Sequence, residues 1–167
     1  MRPDLKDDDS RYDIEEAYEY RGVRVAIVRQ YMGFRCGYVG VPETMSAYSM
    51  PEQGEDGAVF LEVHGSVTYE KVGNEYPIRT AKRMRWFGFD CNHFTDVKDP
   101  NIEELFFGKE WRSVPFLRND DLMWSREMVR SEVEKLARQL INIRHKEESV
   151  VVRKYYLQGQ GEEREID

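Results

Sequence analysis

The spacing of apolar residues changes along this chain, from a period of about two in its first half to about 3.6 near its end. The two-residue alternation is clearest at Val23, Val25 and Ile27. Between Ser125 and Lys146, apolar residues instead recur at steps of three and four: Val129, Val133, Leu136, Leu140 and Ile143. The first pattern is typical of a strand with one buried face and the second of an amphipathic helix. Successive strands followed by one helix predict an α+β fold, in which an antiparallel sheet packs against one long C-terminal helix.

Several other segments carry strand, turn or cap signals. The turn at Tyr31–Gly33 predicts a hairpin whose second strand covers residues 34–41. Ser125 is a plausible N-cap for the helix. The longest predicted loop covers residues 42–57, and loops of this length inside compact domains often serve as lids or binding loops. Further strand segments are predicted at residues 58–63, 65–71, 83–89 and 150–157.

Length and composition bound the organisation of the chain. Its 167 residues, 40% of them hydrophobic, predict a single domain over residues 21–157. Residues 1–20 are acidic and predict one or two helical turns or partial disorder, and residues 158–167 predict a disordered acidic tail. The net charge of −7 argues against general nucleic-acid binding. The sequence shows no leader pattern and no membrane-length apolar run, and its two cysteines are too few for a disulfide framework, so we expect a cytoplasmic protein with reduced thiols.

The densest group of site-capable side chains follows the strand that contains Trp86. Asp90, Cys91, His93 and Asp96 lie within seven residues, and a turn would bring His93 to both aspartates at steps of three. An Asp-His-Asp arrangement suits general acid–base catalysis, or a divalent metal with His64 as a further ligand. The alternative is structural, because an aspartate at a strand end commonly caps the following turn. No motif of a thiol enzyme surrounds the cysteine.

A second group of candidates lies on neighbouring predicted strands. Gly65, beside His64, predicts either close approach of a ligand or another backbone, or a bulge. Thr68 and Tyr69 offer hydroxyls on opposite faces of the same strand. The main basic run contains Arg79, Lys82, Arg83 and Arg85. With Trp86 beside it, this run could hold a phosphate or stack a base, although a solvated charged face is the commoner role of such a run.

Three segments of the chain resemble motifs of a family of small, largely uncharacterised phage and prophage proteins. The segments cover residues 37–42 (GYVGVP), 63–69 (VHGSVTY) and 86–96 (WFGFDCNHFTD). The family pattern has a second glycine at the position of Ser66, and it has a histidine in the loop where this chain has Thr44, Met45 and Ser46. The resemblance implies viral origin more directly than it implies an activity.

Three functional hypotheses follow. The first is a phage-encoded, non-catalytic protein in the host cytoplasm that binds a small polar or nucleotide-like ligand and counters host defence. Its ligand would contact His64, Thr68, Tyr69, Arg85, Trp86, Asp90, His93 and Asp96. The second is a metal-dependent hydrolase that uses His64, Asp90, His93 and Asp96 to hold a divalent metal. The third is an acidic inhibitor that binds a host defence protein. Unpaired strand edges also favour a homodimer.

Overall fold

A computed structural model describes residues 12–108 and 122–144 of the chain. Five strands form one antiparallel sheet in the order β1-β2-β3-β5-β4. The strands are β1 (Tyr12–Tyr20), β2 (Val23–Gln30), β3 (Arg35–Pro42), β4 (Tyr69–Gly73) and β5 (Met84–Asp90). Two helices follow, α1 (Pro100–Phe107) and α2 (Arg126–Ile141). The predicted α+β fold is confirmed, with α2 packed on the sheet.

Helix α2 begins where the sequence predicts. The Ser125 hydroxyl accepts a hydrogen bond from the Met128 backbone N–H at 3.3 Å, so Ser125 is the N-cap. The apolar side of the helix packs against β2 and β3. Its buried residues are Val129, Val133, Leu136, Ala137 and Leu140.

Alternate residues of β5 divide the core between the two faces of the sheet. Phe87 and Phe89 face α2 and belong to the larger apolar cluster. Trp86 points to the opposite face, where it packs with Ala26, Val28, Cys36 and Tyr38. Both faces of the central strands are therefore buried, which fixes the register of β5 between β3 and β4.

The prediction of helical turns or disorder is wrong for residues 12–20, which form edge strand β1 and pair with β2 along most of its length. Arginines on other elements pair with three of the four acidic residues of this strand. Arg29 binds Asp13, Arg35 binds Glu15, and Arg130 lies 3.3 Å from Glu16. The composition of residues 12–20 does not reveal these arginine partners, which come from other parts of the chain. For this reason the local pattern predicted a solvent-exposed segment where the structure has a strand of the sheet.

The predicted strands at residues 58–63 and 65–71 are also wrong in part, because only Tyr69–Gly73 is a strand. Leu61 and Val63 bury their side chains in the core without joining the sheet. Gly65 and Ser66 both have positive φ, at 65° and 68°, which ends any extended run. The predicted loop at 42–57 contains a short 3₁₀ helix at Ser46–Ser49.

Three further predictions lie outside the described residues: the strand at 150–157, the tail at 158–167 and the first part of the acidic N-terminal segment. Among the helices that the structure describes, none combines the length and the apolar character needed to cross a membrane.

Candidate functional site

The turn that follows β5 folds His93 back onto Asp96. The backbone N–H of His93 donates to Asp96 Oδ2 at 2.9 Å, and the backbone N–H of Asp96 donates to the His93 carbonyl at 2.9 Å. His93 Nδ1 lies 2.8 Å from the same carboxylate oxygen. The predicted approach of these two residues at a step of three is therefore confirmed.

His64 reaches the same carboxylate from a distant part of the chain. Its Nε2 lies 3.0 Å from Asp96 Oδ2 and 3.1 Å from Oδ1. The Asp96 side chain is only 2% exposed, whereas the side chains of His64 and His93 are 21% and 33% exposed. One buried carboxylate thus holds two half-buried imidazoles, each of which retains access to solvent.

The structure assigns Gly65 a role that the sequence left open. A Cβ on this residue would lie 2.0 Å from Cε1 and 2.1 Å from Nε2 of His93. The group that approaches Gly65 is therefore the imidazole of His93, in place of the ligand or backbone that the sequence suggested. Its positive φ also favours glycine, and the next residue, Ser66, adopts a similar conformation.

Trp124 completes the surroundings of His64, although no local sequence pattern predicts that it lies there. Its ring lies 4.1 Å from the His64 ring, centroid to centroid, at an interplanar angle of 31°. The two imidazoles are themselves edge to face, with centroids 5.0 Å apart. The backbone N–H of His64 donates to Glu132 of α2 at 2.7 Å. His64 is consequently held on both its ring and its backbone.

Asp90 and Thr68 lie beside this group as an outer layer. The Thr68 hydroxyl donates to Asp90 Oδ2 at 3.1 Å, and the backbone N–H of Asn92 donates to Oδ1 at 3.1 Å. Asp90 Oδ1 lies 3.8 Å from Nε2 of His93, the ring nitrogen that does not contact Asp96. The two aspartates therefore flank the two nitrogens of the same imidazole.

The structure places Tyr69, Arg85 and Trp86 away from this site. Arg85 is 5% exposed, pairs with Glu70 and donates to carbonyls of the loop after β3: those of Ala47, Tyr48, Met50 and Pro51. Arg85 is five residues before Asp90 in β5, which at about 3.3 Å per residue places it roughly 17 Å away along the strand. Trp86 is fully buried, and Tyr69 packs against Tyr38 on the face opposite α2.

The two cysteines are buried and free. Burial, together with the charge of Asp90, raises the pKa of the Cys36 thiol to about 12. Burial also raises the pKa of Cys91, and the neighbouring charge of Asp96 acts in the same direction. Because the thiolate is the nucleophilic form, neither thiol is activated for catalysis.

Electrostatics favour an ionised carboxylate at the centre of the site. Burial alone would raise the pKa of Asp96, but hydrogen bonds from His64 and from the backbone and ring of His93 outweigh it and lower that pKa below the usual value. A nitrogen of each imidazole and an oxygen of Asp96 all lie within 4.8 Å of one another. Two imidazoles and one carboxylate at this spacing form a donor set for a divalent transition metal.

Comparisons with models of known protein families, with curated proteins and with solved structures found no significant match. The site must therefore be interpreted from its own geometry, and the resemblance to phage proteins remains a hypothesis.

Proposed function

We propose that this protein is a metal-dependent hydrolase whose single divalent ion is held by His64, His93 and Asp96. The observation that carries the proposal is the convergence of these three donor groups within 4.8 Å. The separation of His64 and Asp96 by 32 residues in the chain means that the fold, and not a local turn, builds this donor set.

The donor atoms suit zinc-like coordination. Zinc binds imidazole nitrogen and carboxylate oxygen at about 2.0–2.2 Å in tetrahedral geometry, which places neighbouring donors roughly 3.4 Å apart. The corresponding contacts here are 2.8 Å for His93 Nδ1 and 3.0 Å for His64 Nε2, each to Asp96 Oδ2. Metal binding thus requires the donors to separate by a few tenths of an ångström and displaces the protons that now lie between them.

The outer layer fits the same role. Metal-bound histidines commonly present their other nitrogen to a carboxylate, which orients the ring and raises its basicity. Asp90 stands 3.8 Å from Nε2 of His93 and is held in place by Thr68. Asp90, a predicted ligand, is therefore assigned here to orienting His93. Stacking of Trp124 on His64 restrains the second ligand.

Three protein ligands leave a coordination position open, which distinguishes catalytic from structural zinc sites. A metal at such a position supplies a nucleophile near neutral pH by lowering the pKa of coordinated water to about 7. The exposed edges of both imidazoles leave a route for substrate to this position.

The other two hypotheses have less support from the geometry of the described residues. The nucleotide-like ligand was expected to contact Arg85 among other residues, and Arg85 is buried in contacts with Glu70 and loop carbonyls. The acidic inhibitor would imitate nucleic acid with acidic residues at positions 7–9 and with Glu15 and Glu16. Positions 7–9 lie outside the described residues, and arginines of the same fold engage Glu15 and Glu16. Phage origin and a role against host defence rest on the motif resemblance alone. They do not favour hydrolysis, ligand binding or inhibition over one another.

Metal content measured by native mass spectrometry after exposure to Zn²⁺ tests the proposal. We expect about one zinc per chain, with His93→Ala and Asp96→Asn each losing it. His145→Ala is the matched control, because it removes the third histidine of the sequence, which is not among the three proposed ligands. A wild-type protein that takes up no zinc, or loses it equally in the control, would refute the site.

Hydrolysis of bis(p-nitrophenyl) phosphate and of p-nitrophenyl acetate tests the enzymatic part separately. We expect turnover of at least one ester that stops on chelation and returns when Zn²⁺ is restored. Stoichiometric zinc without turnover of either ester would leave the metal site in place and overturn the assignment as a hydrolase.

A further inference from the structure

A second concave surface lies on the face of the sheet opposite α2. It is a cleft of about 250 Å³ between strand β4 and the segment that leads back to β5. Its walls include Tyr69, Lys71, Asn74, Glu75, Tyr76 and Arg83. Tyr69 and Tyr76 pack against the apolar cluster around Trp86, whereas α2 packs against the other cluster. The cleft is therefore separate from the histidine site.

The charge around this cleft is opposite in sign to that of the whole protein. The chain carries a net charge of −7, yet residues 69–83 contain four cations and two carboxylates. One of those carboxylates, Glu70, is already paired with Arg85. Lys71, Arg79, Lys82 and Arg83 are exposed, and none of their side chains forms an ion pair within the described part of the chain. Arg29, Arg35 and Arg130, in contrast, all bind carboxylates.

The aromatic wall of the cleft is held in place by a third tyrosine. The rings of Tyr69 and Tyr76 lie 5.6 Å apart, and each lies edge to face with Tyr38 at 5.5 and 5.6 Å. The hydroxyls of Tyr38 and Tyr76 are hydrogen bonded at 2.8 Å. Since Tyr38 is only 5% exposed, the core fixes the positions of these two half-buried rings. A ligand that contacts them does not have to order them first.

We propose that this cleft binds a nucleoside monophosphate, with Lys71 and Arg83 at the phosphate and the two tyrosines against the base. Free cations provide the charge-assisted contacts that a phosphate needs, and tyrosine faces or edges accept any planar base. Asn74 and Glu75 lie between Lys71 and Tyr76 in the chain and offer hydrogen-bond partners for ribose hydroxyls. The volume of about 250 Å³ is below the usual range for drug-sized ligands and matches a small ligand such as a single nucleotide.

The basic run was predicted to hold a phosphate, and the cleft keeps Arg83 of that run but surrounds it with different residues. The sequence grouped Arg83 with Arg85 and Trp86, but both of these are buried. Folding replaces them with Lys71 from the neighbouring strand, which pairs with β5 at Trp86, and with tyrosines from β4 and the turn after it.

Titration of the protein with adenosine monophosphate, followed by backbone amide chemical shifts at low ionic strength, tests the proposal. We expect saturable shifts confined to residues 69–85, and weakening by salt because the phosphate contacts are exposed. Lys71→Ala/Arg83→Ala is expected to raise Kd about tenfold or more, since each lost cation removes a charge-assisted hydrogen bond. Arg126→Ala/Arg144→Ala removes the same charge from exposed positions at the ends of α2 and should change Kd by less than about twofold.

Adenosine and inorganic phosphate serve as the partial ligands. Weaker binding of both than of adenosine monophosphate supports a site that reads base and phosphate together. Adenosine binding equal to that of the nucleotide, or equal losses in the two double variants, would overturn the phosphate assignment, and absence of saturable binding would overturn the site. Asp96→Asn should bind adenosine monophosphate normally, so failure of the zinc site and failure of this cleft are distinguishable.

Discussion

Gly65 is constrained both by its own backbone conformation and by its contact with the histidine site. Its φ of 65° disfavours a side chain, and the position that a Cβ would occupy lies 2.0 Å from the His93 ring. The positive φ is a backbone constraint, and the closeness of the His93 ring is a packing constraint. A glycine that has only the backbone constraint allows their effects on stability to be separated. Gly57 has a φ of 80° with no atom within 4 Å of its Cβ position.

Gly65→Ala is expected to destabilise the protein more than Gly57→Ala and to weaken zinc binding. Both substitutions incur left-handed strain of about 1–2 kcal/mol. Only the first also displaces His93, which has to move to accommodate the new methyl group. Urea unfolding and zinc titration of both variants measure the two effects. Equal destabilisation with unchanged zinc affinity would show that His93 does not depend on Gly65.

At the scale of elements, Arg35 joins parts of the chain that do not otherwise pair. Its Nε lies 2.9 Å from Glu15 in β1, and its Nη1 lies 2.9 Å from Asp99, the N-cap of α1. The same Nη1 donates to the carbonyl of Trp124, whose ring stacks on His64. The side chains of Arg35, Glu15 and Asp99 are all 10% exposed or less.

Arg35→Met is expected to lower the free energy of unfolding by about 3–5 kcal/mol, because it leaves the buried Asp99 without its cation and leaves Glu15 with only the 3.5 Å contact to Arg29. Arg29→Met is the matched control. Arg29 also binds β1, but its side chain is 29% exposed and that of Asp13 is 41% exposed. Its second contact, to Glu15, is longer at 3.5 Å, and Glu15 keeps Arg35 when Arg29 is replaced, so the loss should cost about 1 kcal/mol or less. Urea denaturation of both variants provides the comparison. Similar losses would mean that the Arg35 network is not a major source of stability.

At the scale of the whole molecule, β1 closes one side of the sheet. It pairs with β2, which supplies buried residues to both faces of the sheet, among them Val25 and Ile27 on the α2 side and Ala26 and Val28 on the other. Removing β1 would leave β2 as an exposed apolar edge, a geometry that favours aggregation.

Deletion of residues 1–20 is therefore expected to abolish cooperative thermal unfolding or to yield aggregates. Deletion of residues 1–11 is the control, since it leaves all of β1 in place. Circular dichroism melts and size-exclusion chromatography distinguish the two forms. A cooperative, monodisperse protein lacking residues 1–20 would show that the remaining strands carry the fold without β1.

Local patterns in the sequence were sufficient to predict the features that depend on residues close together in the chain. Apolar alternation predicted β2, β3 and β5, and the steps of three and four predicted α2 with its N-cap at Ser125. The approach of His93 to Asp96 was also predictable, because a turn brings residues three positions apart close together. Each of these depends on hydrogen bonds and side-chain periods within a few residues of chain.

Contacts between residues far apart in the chain became apparent only in the folded protein. It brought His64 and Trp124 to the site, buried Arg85 and Trp86, and turned the acidic segment into β1 by supplying its arginine partners. Whether a charged side chain faces solvent, a ligand or an ion-pair partner depends on the sheet order, in which β5 lies between β3 and β4. Sequence periodicity does not encode that order. The alternation of apolar residues indicates which face of a strand is buried, but any strand with a matching apolar face could pair beside it.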